Sequence, residues 1–345
     1  MKAVMWKGTR SVEVTDIDEP KILSPRDVIV KVTLTAVCGT DLHPYRGHLH
    51  NFKKDSILGH EFTGIIEEVG YEVKNFKKGD RVVASDVIAC GECWYCKKDA
   101  HYQCESVSLF GYGDVVGTYT AGAQAEKVRV PFADHVLFKI PDELLDEDVL
   151  FVGDILATGY GCADEANIVE NDVVVVVGGG PVGLMCAMAA KTFSPKKVFI
   201  IEPNQDRHSF AYELGTHPIL PSQLSDILDE TQGRGPDVVL EAVGSDDTLL
   251  SSMELVRPKG TVVCVGAHHS HNVPFNSEKA FAKELTLKFT VGNPIKYAEK
   301  LIEMIQEEKL SPAQIITHRC DLHDAKKAYD IFDKQEALKV VMRIK

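Results

Sequence analysis

Residues 172–183 read DVVVVVGGGPVG. Five consecutive valines describe a strand buried on both faces, as in the middle of a parallel sheet. The run then enters Gly178-Gly179-Gly180-Pro181-Val182-Gly183. This is G-x-G-x-x-G between a strand and a helix, the context in which the pattern carries meaning. Gly178 permits the tight turn, Gly180 lets a pyrophosphate approach the backbone, and Gly183 lets the helix pack on the strand. The unpaired N–H groups of the helix PVGLMCAMAAKTF would face the phosphates, with Pro181 and Val182 in its first turn. A second strand, KKVFIIE, ends at Glu202, about 20 residues further on. A carboxylate there can bond both ribose hydroxyls and repel a 2′-phosphate, which predicts NAD rather than NADP. Arg207 stands nearby and would favour a phosphate, but the carboxylate at the strand tip dominates. A surface helix cap is the other reading of Glu202.

Outward from this stretch, strand-like and helix-like runs alternate from Asp154 to about residue 293. DRHSFAYELG reads as a helix, and PDVVLEAVG and GTVVCVGA as further strands. That order describes a doubly wound parallel sheet. The preceding residues differ: DVIVKVTLTAV, GIIEEVG and DRVVAS are short runs broken by Gly and Pro, the pattern of a β-rich unit. The alternating segment MKAVMWKGTRSVEVTD reads as a strand. The C-terminal helix-like KYAEKLIEMIQEEKL and strand-like KVVMRI return to that first unit. The expected division is 1–155 with 294–345, enclosing 156–293.

A chain of 345 residues, 44% hydrophobic and 26% charged, is an ordinary globular composition with room for two domains. The formal net charge of -13 argues against nucleic acid and anionic lipid as partners. No apolar run has the length of a membrane span, and the N-terminus lacks the apolar core of a signal peptide. A reducing, cytoplasmic location follows as the expectation.

Cys90, Cys93, Cys96 and Cys104 fall within CGECWYCKKDAHYQC. Four thiolates this close can wrap one zinc ion, so residues of about 88–106 form a candidate structural zinc loop. A disulfide reading would need an oxidising compartment. Cys162, Cys186, Cys264 and Cys320 lie in apolar segments and read as small core residues. Cys38, in AVCGTDLH, precedes His60, in GHEFTGIIEEVG. A thiolate and an imidazole are two of the three protein ligands of an open zinc site. Taken alone, a core cysteine and a structural histidine explain them almost as well.

The run Gly59-His60-Glu61-Phe62-Thr63-Gly64, with Gly70 beyond, resembles the zinc signature of the medium-chain alcohol dehydrogenases. The cysteine cluster, KKGDRVV and the glycine run follow in that family's order, so the resemblance spans essentially the whole chain. It implies a GroES-like catalytic domain interrupted by a Rossmann coenzyme domain, with the active site in the cleft between them. It makes Cys38 and His60 zinc ligands. Asp154, in GDILATGY, matches the carboxylate ligand of the secondary-alcohol and formaldehyde-dehydrogenase-like branches, where many relatives use cysteine. Glu61 resembles the glutamate that approaches the zinc, and Asp41 the carboxylate that grips the far nitrogen of the ligand histidine. Two zinc ions per chain follow, one catalytic and one structural. Gly39 stands where some relatives carry a cation near the pyrophosphate, and Lys339 is the candidate substitute. Thr158 with Gly159, and Gly292-Asn293-Pro294, are candidate nicotinamide contacts.

The implied chemistry is reversible hydride transfer between a small primary or secondary alcohol and NAD. Thr40 would sit beside the substrate oxygen, and His43 would pass the proton from Thr40 and the cofactor ribose to solvent. His48 and His50, beside Gly47, read as solvated or rim residues. His268, His269 and His271 follow a strand end and have no cysteine or carboxylate close in sequence, so they read as pocket-lining rather than metal-binding residues. A polyol substrate is the alternative within the enzyme class. A zinc- and NAD(H)-binding sensor without turnover is the alternative outside it. The resemblance also implies a homodimer or homotetramer.

Overall fold

The computed structural model describes residues 1–49, 51–273 and 275–345, so His50 lies outside the described residues. The chain forms two compact units, 1–154 with 293–345, and 155–292.

The first unit is built on a seven-stranded sheet. Its strands run in the order His318–Asp321, Val340–Arg343, Val28–Val37, Phe62–Val69, Arg81–Ala84 and Leu137–Lys139, with Lys127–Val130 also pairing Val28–Val37. All pairings are antiparallel except that of the two C-terminal strands. Val28–Val37 is therefore central, and most of its side chains are buried rather than alternating in and out. Val28, Val30, Val32, Phe62, Val82 and Tyr329 share one core. The C-terminal strand completes this sheet, so the last residues return to the first unit. The N-terminal alternating segment divides into two strands, Lys2–Gly8 and Ser11–Asp16, because the chain reverses at Thr9-Arg10 and pairs antiparallel with itself.

Glycines of the GHEFTG run serve this sheet. A Cβ on Gly64 would lie 2.4 Å from the Lys31 carbonyl, where the register between the two strands shifts. Gly59 has φ +97°, and a Cβ there would strike the Gln124 side chain. That leaves Gln124 free to pack beside His60's neighbours.

The second unit holds a six-stranded, wholly parallel sheet. Its order is His217–Ile219, Lys197–Ile201, Val173–Val177, Val238–Glu241, Thr261–Cys264 and Thr286–Phe289. In chain order within the unit this is 3-2-1-4-5-6, the Rossmann arrangement, with the order reversing beside Val173–Val177. All five valines of that strand are buried. The helix Pro181–Lys191 starts with Pro at its first turn and Gly180 as its N-cap. Among the described residues, no helix is long and apolar enough to cross a membrane.

Candidate active site

Cys38, His60 and Asp154 come from three separate stretches of the first unit and meet in its interior. Cys38 caps the helix Gly39–Tyr45. Its N–H donates to Asp41 Oδ2 at 2.9 Å, because an acid at the third helical position reaches back to the cap. His60 lies just before the strand Phe62–Val69. Asp154 follows Gly153, where a Cβ would lie 1.9 Å from the Ala84 carbonyl, so the chain passes against the strand Arg81–Ala84. Cys38 Sγ is 3.4 Å from Asp154 Oδ2, and His60 Nε2 is 3.3 Å from the same oxygen. The donor atoms of all three residues lie within 4.8 Å of one another.

These side chains fit a divalent ion better than they fit each other. Among the described residues, neither buried nitrogen of His60 has a hydrogen-bond partner, although carboxylate oxygens stand 3.3 and 3.5 Å away. Burial, reinforced by the Asp154 charge, pushes the Cys38 thiol up to about 11. Ligand distances of about 2.0–2.3 Å in a tetrahedron give donor–donor edges of roughly 3.3–3.8 Å, close to those observed. A cation at their centre would offset the buried negative charge.

A layer of residues holds these three. Asp41 is buried, with Oδ1 3.5 Å from His60 Nδ1. Gln124 donates from Nε2 to Asp41 Oδ2 at 3.3 Å and to the Ala36 carbonyl at 3.0 Å. The Tyr329 hydroxyl donates to Gln124 Oε1 at 2.8 Å, which fixes the amide's orientation. Gln124 and Tyr329 carry no motif, and only the fold brings them here. Glu61 is fully buried and pairs with Lys339, Nζ to Oε2, at 2.5 Å. Burial pushes the Glu61 carboxyl up to about 7, against the pull of Lys339. Lys339 is 0% exposed, so the expectation of a lysine reaching a pyrophosphate is corrected: its ammonium is spent on Glu61. Thr40 and His43 share the helix Gly39–Tyr45 at a spacing that puts them on one face. Thr40 Oγ1 is 4.0 Å from Cys38 Sγ, and the His43 ring centroid is 5.8 Å from that of His48.

The four clustered cysteines are free thiols. Their Sγ separations are 3.5 Å for Cys93–Cys96, 3.9 Å for Cys93–Cys104 and 4.0 Å for Cys90–Cys96. A tetrahedron of thiolates around zinc has edges of about 3.8 Å. Backbone N–H groups of Cys90, Cys93, Cys96 and Ser106 point at these sulfurs, the pattern that stabilises thiolates. The set therefore fits a closed metal site. Within the same loop, Tyr102 donates its hydroxyl to Asp86 Oδ2. Asp86 also accepts from the Val87 N–H at 2.7 Å, and its own N–H donates to the Gly153 carbonyl beside Asp154. Burial, then the Asp154 charge, pushes the Asp86 carboxyl up to about 8.

In the second unit, Gly178 has φ +100°, and a Cβ on Gly183 would lie 1.8 Å from the Gly178 carbonyl. Gly180 differs: the nearest atom to a Cβ there is Arg207 Nη1, at 3.8 Å. Packing does not demand a glycine at this point, and the space it leaves suits a group laid against the backbone. Glu202 follows the strand Lys197–Ile201. Its Oε2 accepts from the Gly179 N–H at 2.7 Å and its Oε1 from the Asn204 N–H at 2.8 Å. Arg207 Nη1 is 3.5 Å from Glu202 Oε2, so the cation next to the strand tip is held by the carboxylate. Thr158 is buried on the helix Ile155–Glu165, and a Cβ on Gly292 would lie 2.5 Å from its Oγ1. Asn293 belongs to the first unit. It caps the helix Pro294–Gln306, contacts His101 Nδ1 at 2.7 Å and donates to the Asp99 carbonyl. These contacts hold it in the cysteine loop's surroundings, a role its sequence neighbourhood did not reveal.

His268 also has partners that its sequence neighbourhood lacks. Glu241 and Cys264, at the ends of two adjacent strands, stand with their donor atoms within 4.8 Å of its own.

The fold and the convergent donor sets define a zinc-type medium-chain dehydrogenase, and comparison with known proteins agrees. Residues 24–142 match the model of the alcohol dehydrogenase GroES-like domain, and residues 181–307 that of the zinc-binding dehydrogenases. The chain belongs to the zinc-containing medium-chain alcohol dehydrogenase family. It is 34% identical to an uncharacterized zinc-type alcohol dehydrogenase-like protein, AdhB, of Bacillus subtilis (strain 168), over 99% of this chain and 100% of that one. The solved alcohol dehydrogenase TADH of Thermus sp. ATN1 is 37% identical, with a TM-score of 0.96 and full coverage of both chains. A short chain alcohol dehydrogenase (rspB) from E. coli CFT073, solved with NADH, is 26% identical, with a TM-score of 0.88 over 99% of each chain.

Proposed function

We propose that this zinc-type oxidoreductase interconverts a small primary or secondary alcohol with its aldehyde or ketone, using NAD. Cys38, His60 and Asp154 hold the catalytic zinc, and Cys90, Cys93, Cys96 and Cys104 a structural one. The first unit is then the catalytic domain and the second the coenzyme domain. The observation that carries the reading is the meeting of the three donors, with neither buried nitrogen of His60 hydrogen-bonded among the described residues.

When bound, zinc supplies Lewis-acid polarisation of the alcohol oxygen, and NAD supplies the hydride acceptor. The protein's own groups do the rest. Asp41, itself oriented by Gln124, stands with Oδ1 3.5 Å from His60 Nδ1, placed to take an N–H there and leave Nε2 to the donor cluster. The Thr40 hydroxyl would take the proton leaving the alcohol as it releases its own towards the cofactor ribose and His43. His43, one turn further along the same helix, hands it towards solvent. Gly178, Gly180, Pro181, Val182 and Gly183 lay the pyrophosphate against the helix N-terminus. Glu202 takes the ribose hydroxyls and holds Arg207, which supports NAD over NADP. Thr158 faces the nicotinamide.

Free thiols in the cysteine loop suit a reducing cytoplasm. Phe289 ends the edge strand Thr286–Phe289 at 60% exposed, Val291 just beyond it is 53% exposed, and Phe281 on the preceding helix Ser277–Lys283 is 86% exposed, which supports a homodimer or homotetramer joined there. The deciding experiment is NAD-dependent absorbance change across short primary alcohols, secondary alcohols, polyols and the matching carbonyls. Turnover with simple alcohols is expected. Zinc-loaded protein that turns over none of them is instead a sensor, and turnover confined to polyols moves the substrate class.

A further inference from the structure

The geometry points to a third metal site, in the second unit, formed by Glu241, Cys264 and His268. Glu241 ends the strand Val238–Glu241, and Cys264 ends the neighbouring strand Thr261–Cys264. The two are register partners in the parallel ladder, so their side chains emerge side by side. The Val265 and Gly266 N–H groups both donate to the Glu241 carbonyl, which turns the chain so that His268 comes back over the strand ends.

Glu241 is 0% exposed and Cys264 1% exposed. The carboxylate divides its work. Oε1 accepts from the Val243 N–H at 2.9 Å, the Gly244 N–H at 2.8 Å and the Thr248 hydroxyl at 2.8 Å, and so caps the loop before the helix Asp246–Leu255. Oε2 takes no part in that cap. Its neighbour is His268, whose Nε2 lies 3.3 Å away in a hydrogen bond. Cys264 Sγ has no hydrogen bond among the described residues, and a buried sulfur, an imidazole nitrogen and a carboxylate oxygen converge within 4.8 Å. A cap explains Oε1, and Oε2 shares a hydrogen bond with His268 Nε2 at 3.3 Å; the buried Cys264 sulfur that converges on this pair takes part in neither.

The donor set is one sulfur, one nitrogen and one oxygen, the same trio as Cys38, His60 and Asp154. It selects a borderline-soft divalent ion such as Zn²⁺ or Co²⁺ over Mg²⁺ or Ca²⁺. Binding releases the Cys264 thiol proton, and the thiolate and carboxylate then neutralise the dication. His268, whose side chain is 16% exposed, stands between the buried pair and solvent and gives the ion its entry path.

The test uses the full chain with its zinc in place, equilibrated with Co²⁺ and gel-filtered, then counted by mass spectrometry and read for sulfur-to-cobalt charge-transfer absorption. The unsubstituted protein should carry one metal equivalent more than His268→Gln or Cys264→Ala, and show a charge-transfer band that both variants lack. His268→Gln alters a residue at the rim and decides the question alone if Cys264→Ala does not fold. Cys38→Ala should leave this extra equivalent in place, so the outcome is independent of the proposed catalytic ion. Equal metal content in the unsubstituted protein and His268→Gln overturns the site.

Discussion

Lys339 and Glu61 form an ion pair sealed from solvent, with Nζ 2.5 Å from Oε2 and neither side chain more than 1% exposed. The lysine precedes the C-terminal strand Val340–Arg343, and the glutamate precedes Phe62–Val69, so the pair ties both strands behind the Cys38–His60–Asp154 cluster. Removing one partner strands a buried charge. Lys339→Met should lower unfolding free energy by about 3–5 kcal/mol, and the double variant Lys339→Met/Glu61→Leu should recover much of that loss. Denaturant unfolding of the variants measures both. A Lys339→Met protein as stable as the parent would mean the pair contributes nothing.

Cys38→Ala should remove one metal equivalent and leave the fold intact, since Cys38 is a helix cap whose N–H bond to Asp41 the substitution keeps. Several kcal/mol of transition-state stabilisation go with the ion, which corresponds to a loss of roughly 10³-fold or more in kcat/KM. Metal analysis, circular dichroism and kinetics on one preparation check the three parts. A variant with full metal content and full rate removes Cys38 from the site.

The glycine turn makes a contrasting pair. Gly183→Ala places a methyl 1.8 Å from the Gly178 carbonyl and should destabilise the protein by about 1–3 kcal/mol or prevent folding. Gly180→Ala meets nothing closer than 3.8 Å and should fold normally. It should nonetheless weaken NAD binding about tenfold, or roughly 1.4 kcal/mol. Thermal melts and NAD titration separate the two; unchanged NAD affinity in Gly180→Ala would place the pyrophosphate elsewhere.

Acid stability should depend on Asp237. Burial raises its pKa, but the Val173 N–H at 2.8 Å and Arg257 at 2.6 Å outweigh it, and the carboxyl is held below its usual 3.8. A depressed folded pKa stabilises the protein above the unfolded pKa, and that stability is lost as pH falls through the folded value. Asp237→Ala should cost about 1–3 kcal/mol at neutral pH. The gap from the parent should shrink as pH drops below 4, in unfolding curves recorded against pH. A gap that stays constant with pH would show that the charge is not what matters.

What could be read in advance divides along sequence distance. The valine run and the glycine turn state the parallel sheet locally, because strand, turn and helix follow within one short stretch. The cysteine loop is equally local. The N-terminal hairpin hid because Val4 and Trp6 before the turn and Val12 and Val14 after it keep one alternating phase, although Gly8 to Ser11 reverses the chain. Gln124, Tyr329 and Lys339 reach the Cys38 region only through sheet pairings and packing far along the chain, and no spacing rule announces them. Lys339 misled for a further reason: a lysine beside a strand normally lies in solvent, and only a buried carboxylate retains one inside. Glu241 and Cys264 likewise become neighbours of His268 through the parallel ladder.

Tyr102 gives Asp86 its hydroxyl hydrogen bond from within the cysteine loop. The loop is therefore more than a detachable staple. A descendant chain that discarded all four thiols together with their ion would also leave an acidic side chain stranded next to the Gly153–Asp154 turn. Shedding that lobe should succeed only in company with a neutral residue at position 86, so the two losses ought to be inherited as one event.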